Sequence, residues 1–313
     1  MNAKKVNWLF VAIFFMYHAV SYGLIYYITH IHMIGLIPLN MASELIFIIP
    51  GVIFVFATRT KWRDMLKLKP IRISTVLIVI LFTFLCMPLI TVVNLATQFF
   101  VENAVEASST MFLLMPFGVT FFIVAIYAPV CEEIVFRGIT YESLKKDMSV
   151  LKAMIISAVF FGLAHMNFNQ AAYALLLGLI LVLVREATGS LWATILIHAV
   201  FNGWNVILMY ASEWMIETFP DLAGDATSLV QTAAERNATL SRMLGIYLII
   251  AAVTTTLAGC VLVWMAGREG RKEELRNIWR CRKEGKKNGL SWLIPYILVL
   301  ALFLGYMLYD VLS

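Results

Sequence analysis

The chain has 313 residues, of which 61% are hydrophobic and 14% are charged, and its mean hydropathy is +0.85. Soluble domains carry about 25% charged residues, so this composition excludes an ordinary soluble enzyme or scaffold. The net charge of +5 comes mostly from short loops between apolar runs, which indicates membrane topology and not a nucleic-acid-binding surface.

Nine apolar runs along the chain predict membrane helices. They reach roughly 18–25 residues without the polar–apolar alternation of barrel strands. The first run follows Lys4 and Lys5, is longer than the apolar region of a signal peptide and has no clear cleavage site, so we expect it to be retained. The predicted helices cover residues 8–28, 41–58, 73–96, 111–144, 150–166, 171–185, 190–211, 244–266 and 291–311.

The connections between these helices alternate in charge. The 59–72, 145–152 and 267–290 connections are rich in lysine and arginine, whereas the 97–110 and 212–243 connections are mainly acidic. Basic loops are retained in the cytoplasm, so we expect these three loops and the N-terminus there, with the C-terminus outside. The compact chain without organelle signals favours a bacterial plasma membrane.

The expected fold is therefore an all-α polytopic transmembrane bundle of about eight or nine spans. Residues 1–110 would form three N-terminal helices, residues 111–211 the core that carries the polar motifs, and residues 212–313 an external loop followed by two helices joined through a basic loop. Within the external loop, residues 227–242 fit an amphipathic surface helix and an ordered loop equally well. The fourth, fifth and seventh helices are expected to supply the catalytic core.

Two adjacent glutamates and an arginine stand out in the fourth predicted helix. Inserting a charged residue at the centre of a membrane helix costs roughly 2.5–3.5 kcal/mol even on lenient insertion scales. Such residues are therefore expected at a functional site more than in a purely structural helix. Glu133 and Arg137 are four residues apart and share a helix face, so they can pair and leave Glu132 free. The alternative is a charge network that only orders the bundle.

Histidines on two other helices are expected to meet these carboxylates. Glu132 and His165 lie about equally far from the turn between the fourth and fifth helices, so an antiparallel pair brings them to one depth. His198 and Asn202 share a face of the seventh helix about mid-membrane. We expect the four groups to converge in a site open toward the cytoplasm, while nearby Asn205 makes an interhelical hydrogen bond.

These residue types suit hydrolysis of a peptide bond by water. A buried glutamate beside a histidine can deprotonate a water, and a second histidine with an asparagine offers donors to an oxyanion. The alternative is a metal site formed by Glu132, His165 and His198, although no HExxH motif is present. Cys131 as a nucleophile is disfavoured because adjacent helical residues point about 100° apart.

At these residues the chain resembles the CPBP family of intramembrane proteases, which includes the type II CAAX prenyl endopeptidases. The family pattern is EExxxR, FxxxH and HxxxN on successive core helices. Here it is found at residues 132–137, from Phe161 to His165, and from His198 to Asn202. Each motif alone is weak, but the three together, in order and on predicted membrane helices, are specific. The resemblance covers about a third of the chain, roughly residues 115–210.

The resemblance implies a glutamic endopeptidase without a cofactor. Glu132 would be the general base, His165 would position the water, and His198 and Asn202 would form the oxyanion hole. The supporting residues would be Glu133, Arg137 and Phe161. The implied partners are the bilayer and a membrane-associated peptide or protein, either lipidated and CAAX-like or of the bacteriocin type. A zinc-dependent version of the same protease stays the alternative for the cofactor.

Two further functions compete with the protease. A non-enzymatic membrane scaffold or bacteriocin self-immunity protein would retain the motifs for structure. A transporter could use Glu132 and His165 as a proton relay, but the chain has no internal repeat of the kind many transporters carry. Two surface features favour no function: His30 and His32 fit an exposed loop better than a metal site, and the basic 267–290 loop serves mainly to fix topology, although it can attract anionic lipid.

Overall fold

A computed structural model describes residues 2–32, 34–219, 232–280 and 290–312. Within these residues all regular secondary structure is helical, and eight helices are long and apolar enough to cross a membrane. The predicted all-α polytopic bundle is therefore confirmed. Parts of both long predicted loops, including Asp221, Asp225, Cys281, Arg282 and Lys283, lie outside the described residues.

Twelve helices follow one another along the described chain, and they are numbered α1 to α12 here. They are α1 (Ala3–His30), α2 (Leu36–Ala57), α3 (Trp62–Leu66), α4 (Ile73–Thr97), α5 (Ala104–Leu113), α6 (Phe117–Asp147), α7 (Val150–Leu163), α8 (Phe168–Thr188), α9 (Leu191–Thr218), α10 (Ala233–Arg268), α11 (Lys272–Asn277) and α12 (Leu293–Leu312). A 3₁₀ turn, Leu290–Trp292, precedes α12.

The described basic connections gather at one end of the bundle, which we call the basic end. There the backbone nitrogen of Ala3 donates to Asp147 at 2.6 Å, which joins the start of α1 to the end of α6. Lys69, from the connection before α4, pairs with Glu269 after α10 at 3.3 Å. The basic end therefore unites the start of α1 with the connections after α2, α6, α8 and α10, as the charge pattern predicts.

The last helix runs parallel to the first. Near the basic end Asn7 donates to the carbonyl of Trp292 at 2.9 Å, and further along the pair the rings of Phe14 and Phe303 lie 5.0 Å apart. The C-terminal end of α12 consequently lies at the opposite end of the bundle from the start of α1. This agrees with the predicted placement of the two termini on opposite sides.

Helix α7 is shorter than its predicted range of 150–166. Its 14 residues span about 21 Å, less than the roughly 30 Å of a bilayer core. The helix packs closely on α8, since a Cβ at Gly162 would lie 2.6 Å from the carbonyl oxygen of Ala171, and one at Gly178 would lie 3.0 Å from the Cα of Ala158. Gly162 thus permits a close approach of the two helices and brings the end of α7 against α8.

Several other predicted boundaries differ from the structure, among them those at residues 41 and 211, which lie at Leu36 and Thr218, and two further differences have a clear local cause. The helix predicted at 111–144 is divided before Pro116, which precedes α6 in an extended conformation and separates it from α5. The span predicted at 244–266 begins eleven residues earlier, because Thr232 caps α10 through a reciprocal capping box with Glu235. Residues 233–242, expected in a surface helix or loop, therefore continue the spanning helix.

Candidate active site

The two glutamates of the first motif lie in a short α-helical segment between two widened turns of α6. The chain is π-helical over Phe122–Tyr127 and again over Ile134–Tyr141, and the intervening segment is Ala128–Glu133. Such π segments inside α-helices occur frequently at functional sites, because they re-aim side chains and free backbone carbonyls. Nothing in the apolar pattern of the sequence predicted them.

A proline beside the glutamates helps to place Asn202. Pro129 has no N–H, so the carbonyl of Val124, five residues earlier in the π pattern, is without that donor. The side-chain nitrogen of Asn202 donates to this carbonyl at 2.9 Å. One N–H of the amide is therefore used to join α9 to α6, while its other N–H and its oxygen are left for further contacts.

Glu133 forms the centre of a buried charge network. Its Oε1 accepts from the Arg137 guanidinium at 2.7 Å, as the four-residue spacing predicted, and both side chains are fully buried. The same oxygen lies 3.1 Å from Nδ1 of His198. Since a carboxylate oxygen accepts, Nδ1 of His198 donates and Glu133 orients the imidazole. This contact between the first and third motifs was not predicted.

The ring of Phe161 connects the three motifs. The Arg137 guanidinium carbon lies 4.1 Å from the ring centroid, which is a cation–π geometry. The rings of His165 and His198 meet it edge-on, with centroids 5.2 Å and 5.6 Å away. Phe161 is therefore a wall against which both histidines and the arginine are held.

His165 is oriented by the backbone of its own turn. Its Nδ1 lies 2.8 Å from the carbonyl oxygen of Phe161, so Nδ1 carries the proton of that hydrogen bond. In the neutral imidazole Nε2 then has no proton and is an acceptor, which suits it to receive a hydrogen bond from a water.

Glu132 makes fewer close polar contacts than Glu133. Its Oε2 lies 3.7 Å from Nε2 of His198, beyond ordinary hydrogen-bond distance, and this buried oxygen has no hydrogen-bond partner among the described residues. The structure thus brings Glu132, Glu133, Arg137, Phe161, His165 and His198 together, and we call this group the motif cluster. The predicted division between an engaged Glu133 and an available Glu132 agrees with the geometry.

A cavity of about 730 Å³ opens onto the motif cluster. Glu132, His165, His198 and Asn202 all line it, and its volume falls within the range of small-ligand sites. Apolar side chains form much of the remaining wall, among them Phe47, Phe84, Met87, Leu177, Phe201 and Met209. The cavity lining therefore combines these four polar groups with an apolar surface that suits a substrate segment embedded in lipid.

The cavity extends toward the end of the bundle opposite to the basic end. Its lining takes Asn40 and Ser43 from the start of α2, Asn94 from the end of α4, and Leu208 from the distant half of α9. The sequence analysis expected an opening toward the side of the basic loops. The structure differs because the polar groups occur on the halves of α2, α4 and α9 that lie far from those loops.

One carboxylate of the cavity was missed by the sequence analysis. Glu44 of α2 lines the same space as Glu132, and its Oε2 is buried without a hydrogen-bond partner among the described residues. It is the single acidic residue in an apolar helix, and such intramembrane charges are rare outside functional positions. That pattern would have identified Glu44, but it is not part of any of the three motifs.

Two minor expectations can be compared with the geometry. Asn205 does not make the predicted interhelical bond, since it donates to the carbonyl of Phe201 in its own helix at 3.0 Å. The described residues contain no group of three His, Cys, Asp or Glu side chains arranged to hold a metal ion. As placed, Glu132, His165 and His198 are not grouped as metal ligands, and the zinc-dependent alternative at these residues stays a prediction.

The comparisons with known proteins bear on the same part of the chain. Residues 114–204 match the family described as Rce1-like, type II CAAX prenyl endopeptidase Rce1-like. The predicted resemblance is confirmed. This match covers the three motifs and the helices α6 to α9 that carry them, although it is less than a third of the chain.

A curated relative and the solved structures complete the comparison. The chain is 29% identical over 84 residues to a Bacillus subtilis (strain 168) protein named "Putative membrane peptidase YdiL". The match covers 27% of this chain, and the chain spans about a third, 34%, of that relative. No solved structure matches. Both matches are to sequences described as peptidases, and neither gives a role to any single residue.

Proposed function

We propose that the protein is an intramembrane endopeptidase in which Glu132 activates a water to cleave a membrane-associated peptide or protein. The observation that supports this most directly is Glu132 itself, which lines a cavity that both histidines also line and whose buried Oε2 has no hydrogen-bond partner among the described residues. A buried carboxylate without a partner costs free energy, and it is retained where a substrate or a water engages it.

The reaction begins with a water held between Glu132 and His165. Nε2 of neutral His165 accepts a hydrogen bond from the water. Glu132 removes the other proton of the water as the water oxygen attacks the peptide carbonyl carbon. The carbon becomes tetrahedral, and its oxygen takes the negative charge. Glu132 then returns the proton to the amide nitrogen, the C–N bond breaks, and a carboxylic acid and an amine leave.

The oxyanion is stabilised by donors from α9. The second N–H of the Asn202 amide is available, because the first is held by the Val124 carbonyl. His198 donates its Nδ1–H to Glu133, so it donates to the oxyanion only as an imidazolium, through an N–H on Nε2, the atom that lies 3.7 Å from Oε2 of Glu132. The Glu133–Arg137 pair therefore acts on the reaction by holding His198 and does not touch the substrate itself.

The test is cleavage of a quenched fluorescent peptide library, some members lipidated, by purified protein in detergent. Wild type, Glu132→Ala and Glu106→Ala are compared, because Glu106 is an exposed carboxylate outside the cavity. We expect cleavage by wild type and Glu106→Ala, with and without a strong chelator, and none by Glu132→Ala. Cleavage lost on chelation would support the zinc-dependent version. A folded wild type that cleaves no peptide would favour a scaffold or immunity protein.

The orientation of the site is part of the proposal. Positively charged loops are retained in the cytoplasm, which assigns the basic end to that side and the mouth of the cavity to the opposite one. Ser43→Cys, in a background without native cysteines, should react with a membrane-impermeant maleimide added to intact cells. Lys61→Cys, in the basic connection after α2, should react only after the cells are permeabilised. The reverse pattern would place the opening in the cytoplasm.

A further inference from the structure

The cavity is lined by more negative than positive side chains. Its described lining contains two carboxylates, Glu44 and Glu132, and no lysine or arginine. The nearest buried cation, Arg137, is held by Glu133 and does not line the cavity. A substrate therefore meets two acidic groups that no fixed cation of the lining neutralises.

The polar neighbours of Glu44 on α2 do not compensate its charge. Asn40 donates its amide to the carbonyl of Leu36 at 2.8 Å, and Ser43 donates its hydroxyl to the carbonyl of Asn40 at 2.7 Å. The Oε2 of Glu44 remains buried and without a partner among the described residues. Glu44 and Glu132 line the same cavity, and like charges that share a site repel each other.

Other buried carboxylates of this protein are paired with cations. Glu142 lies 2.6 Å from Lys67 and 3.4 Å from Arg185, and Glu186 pairs with Lys145. The fold therefore supplies cations to carboxylates that only stabilise it. Glu44 lacks such a partner at a place where a ligand enters, and a positively charged ligand would remove the repulsion between Glu44 and Glu132.

We propose that Glu44 is a specificity-determining residue that binds a positively charged group of the substrate, an ammonium or guanidinium, beside the peptide bond that is cut. This inference rests on the proposed function, since it names the chemistry of the substrate at the same site. The same two carboxylates repel a negative group. Peptides that carry a free C-terminal carboxylate next to the cleaved bond are accordingly poor substrates.

The kinetic test uses matched peptides that differ by one charge. Pairs with lysine or its neutral isostere norleucine beside the cleaved bond are prepared, each with a free or an acetylated N-terminus. We expect wild type and Glu106→Gln to prefer lysine by about 10- to 100-fold in kcat/KM, mostly through KM, and Glu44→Gln to lose this preference. A preference that follows the free N-terminus instead identifies the α-ammonium as the bound cation.

Two kinetic outcomes would overturn the inference. One is an equal loss of kcat/KM for lysine and norleucine peptides in Glu44→Gln, which would mean that Glu44 acts on Glu132 and not on the substrate. The other is a lysine preference that persists without the Glu44 charge, or a wild type that cleaves both members of each pair equally.

A binding measurement separates this inference from the proposed function. Dodecanoyl-lysine amide and dodecanoyl-norleucine amide are titrated into Glu132→Ala and into Glu132→Ala with Glu44→Gln, both in nanodiscs of zwitterionic lipid. We expect the first variant to bind the lysine probe at least about tenfold more tightly than the norleucine probe, and the second to bind both equally. If the probes bind in this way but wild type cleaves no peptide, the proposed protease activity is overturned and the inferred cation site is retained. Equal binding of both probes to the first variant would overturn the cation site.

Discussion

Two clusters of buried charge lie about ten residues apart along α6 and use the same side-chain chemistry differently. At the basic end Tyr141, Glu142, Lys145, Arg185 and Glu186 form what we call the basic-end cluster, in which both carboxylates contact cations and Tyr141 donates to Glu186 at 2.8 Å. In the motif cluster Glu133 is paired in this way, but Glu132 is not. The pairing of a buried carboxylate thus distinguishes a group that stabilises the fold from one available for chemistry.

The reason for the difference is the position of each cluster relative to its neighbours. The basic-end cluster is surrounded by connections, so Lys67 and Arg271 reach it from outside the membrane-crossing helices. Arg185 also donates to the backbone carbonyls of Met65 and Leu66 at 3.0 Å and 2.9 Å. Among the described residues no loop reaches the motif cluster, which lies deep in the bundle beside a cavity. A ligand or a water can complete its polar contacts.

The largest expected effect comes from Glu132→Gln, which keeps the shape of the side chain and removes its charge. We expect kcat to fall by about 10²- to 10⁴-fold, the usual contribution of a general base. Thermal stability in detergent should be unchanged or higher, because an unpaired buried carboxylate is removed. Cleavage kinetics and melting curves of one preparation test both parts. A large loss of stability would show that Glu132 is a structural member of the cluster.

Arg185→Met, in the basic-end cluster, should lower the stability of the fold, in contrast to Glu132→Gln. The substitution leaves two backbone carbonyls without their donor and leaves Glu142 with Lys67 as its remaining cation. Each buried acceptor without a donor costs about 1–3 kcal/mol, so we expect a loss of about 3–5 kcal/mol in unfolding free energy, measured by titration with a denaturing detergent. The control is Arg276→Met, since the Arg276 side chain is 70% exposed and its ion pair should contribute less than about 1 kcal/mol. A loss as small as that of the control would remove the proposed distinction between the clusters.

Phe161→Leu should give an intermediate effect confined to the motif cluster. The cation–π contact with Arg137 is worth about 2 kcal/mol when desolvated, and both histidines lose the ring that positions them. We expect lower stability and lower kcat. Phe160→Leu is the matched control, because its ring is equally buried but packs on Phe10 and Tyr296 instead. Equal loss of activity in the two variants would argue against a positioning role for Phe161.

The smallest effect is expected at the exposed margin of the basic end. Burial acts to raise the pKa of Glu269, but hydrogen bonds from Thr75 and Lys69 bring that pKa below its ordinary value of about 4.5. A depressed pKa means that the ionised form stabilises the folded state. This contribution, less than about 1 kcal/mol, is present above pH 4.5 and is lost as the pH falls through the lowered pKa.

Stability measured against pH for wild type and Glu269→Gln tests this prediction. The two curves should be separated at pH 7 and should converge at acidic pH below the ordinary pKa of a glutamate. A difference that stays constant with pH would mean that the contacts of Glu269 do not depend on its charge.

The sequence by itself determined the helical membrane fold, the end at which the basic loops gather and the pairing of Glu133 with Arg137. These follow from local rules: hydrophobic length, charge asymmetry and the four-residue period of a helix face. The order of the three motifs also identified the helices that form the core. Catalytic roles for Glu132, His165, His198 and Asn202 remain predictions until they are measured.

Tertiary structure decided what local rules do not encode. The placement of Glu44 in the same cavity as Glu132 depends on how α2 packs on α6, and the contact of His198 with Glu133 depends on how α9 packs there. The two π segments and the direction of the cavity likewise arise from the packing of whole helices. A sequence pattern gives the depth of a residue in the membrane and the helix face on which it lies. Which residue it contacts depends on which helices pack together.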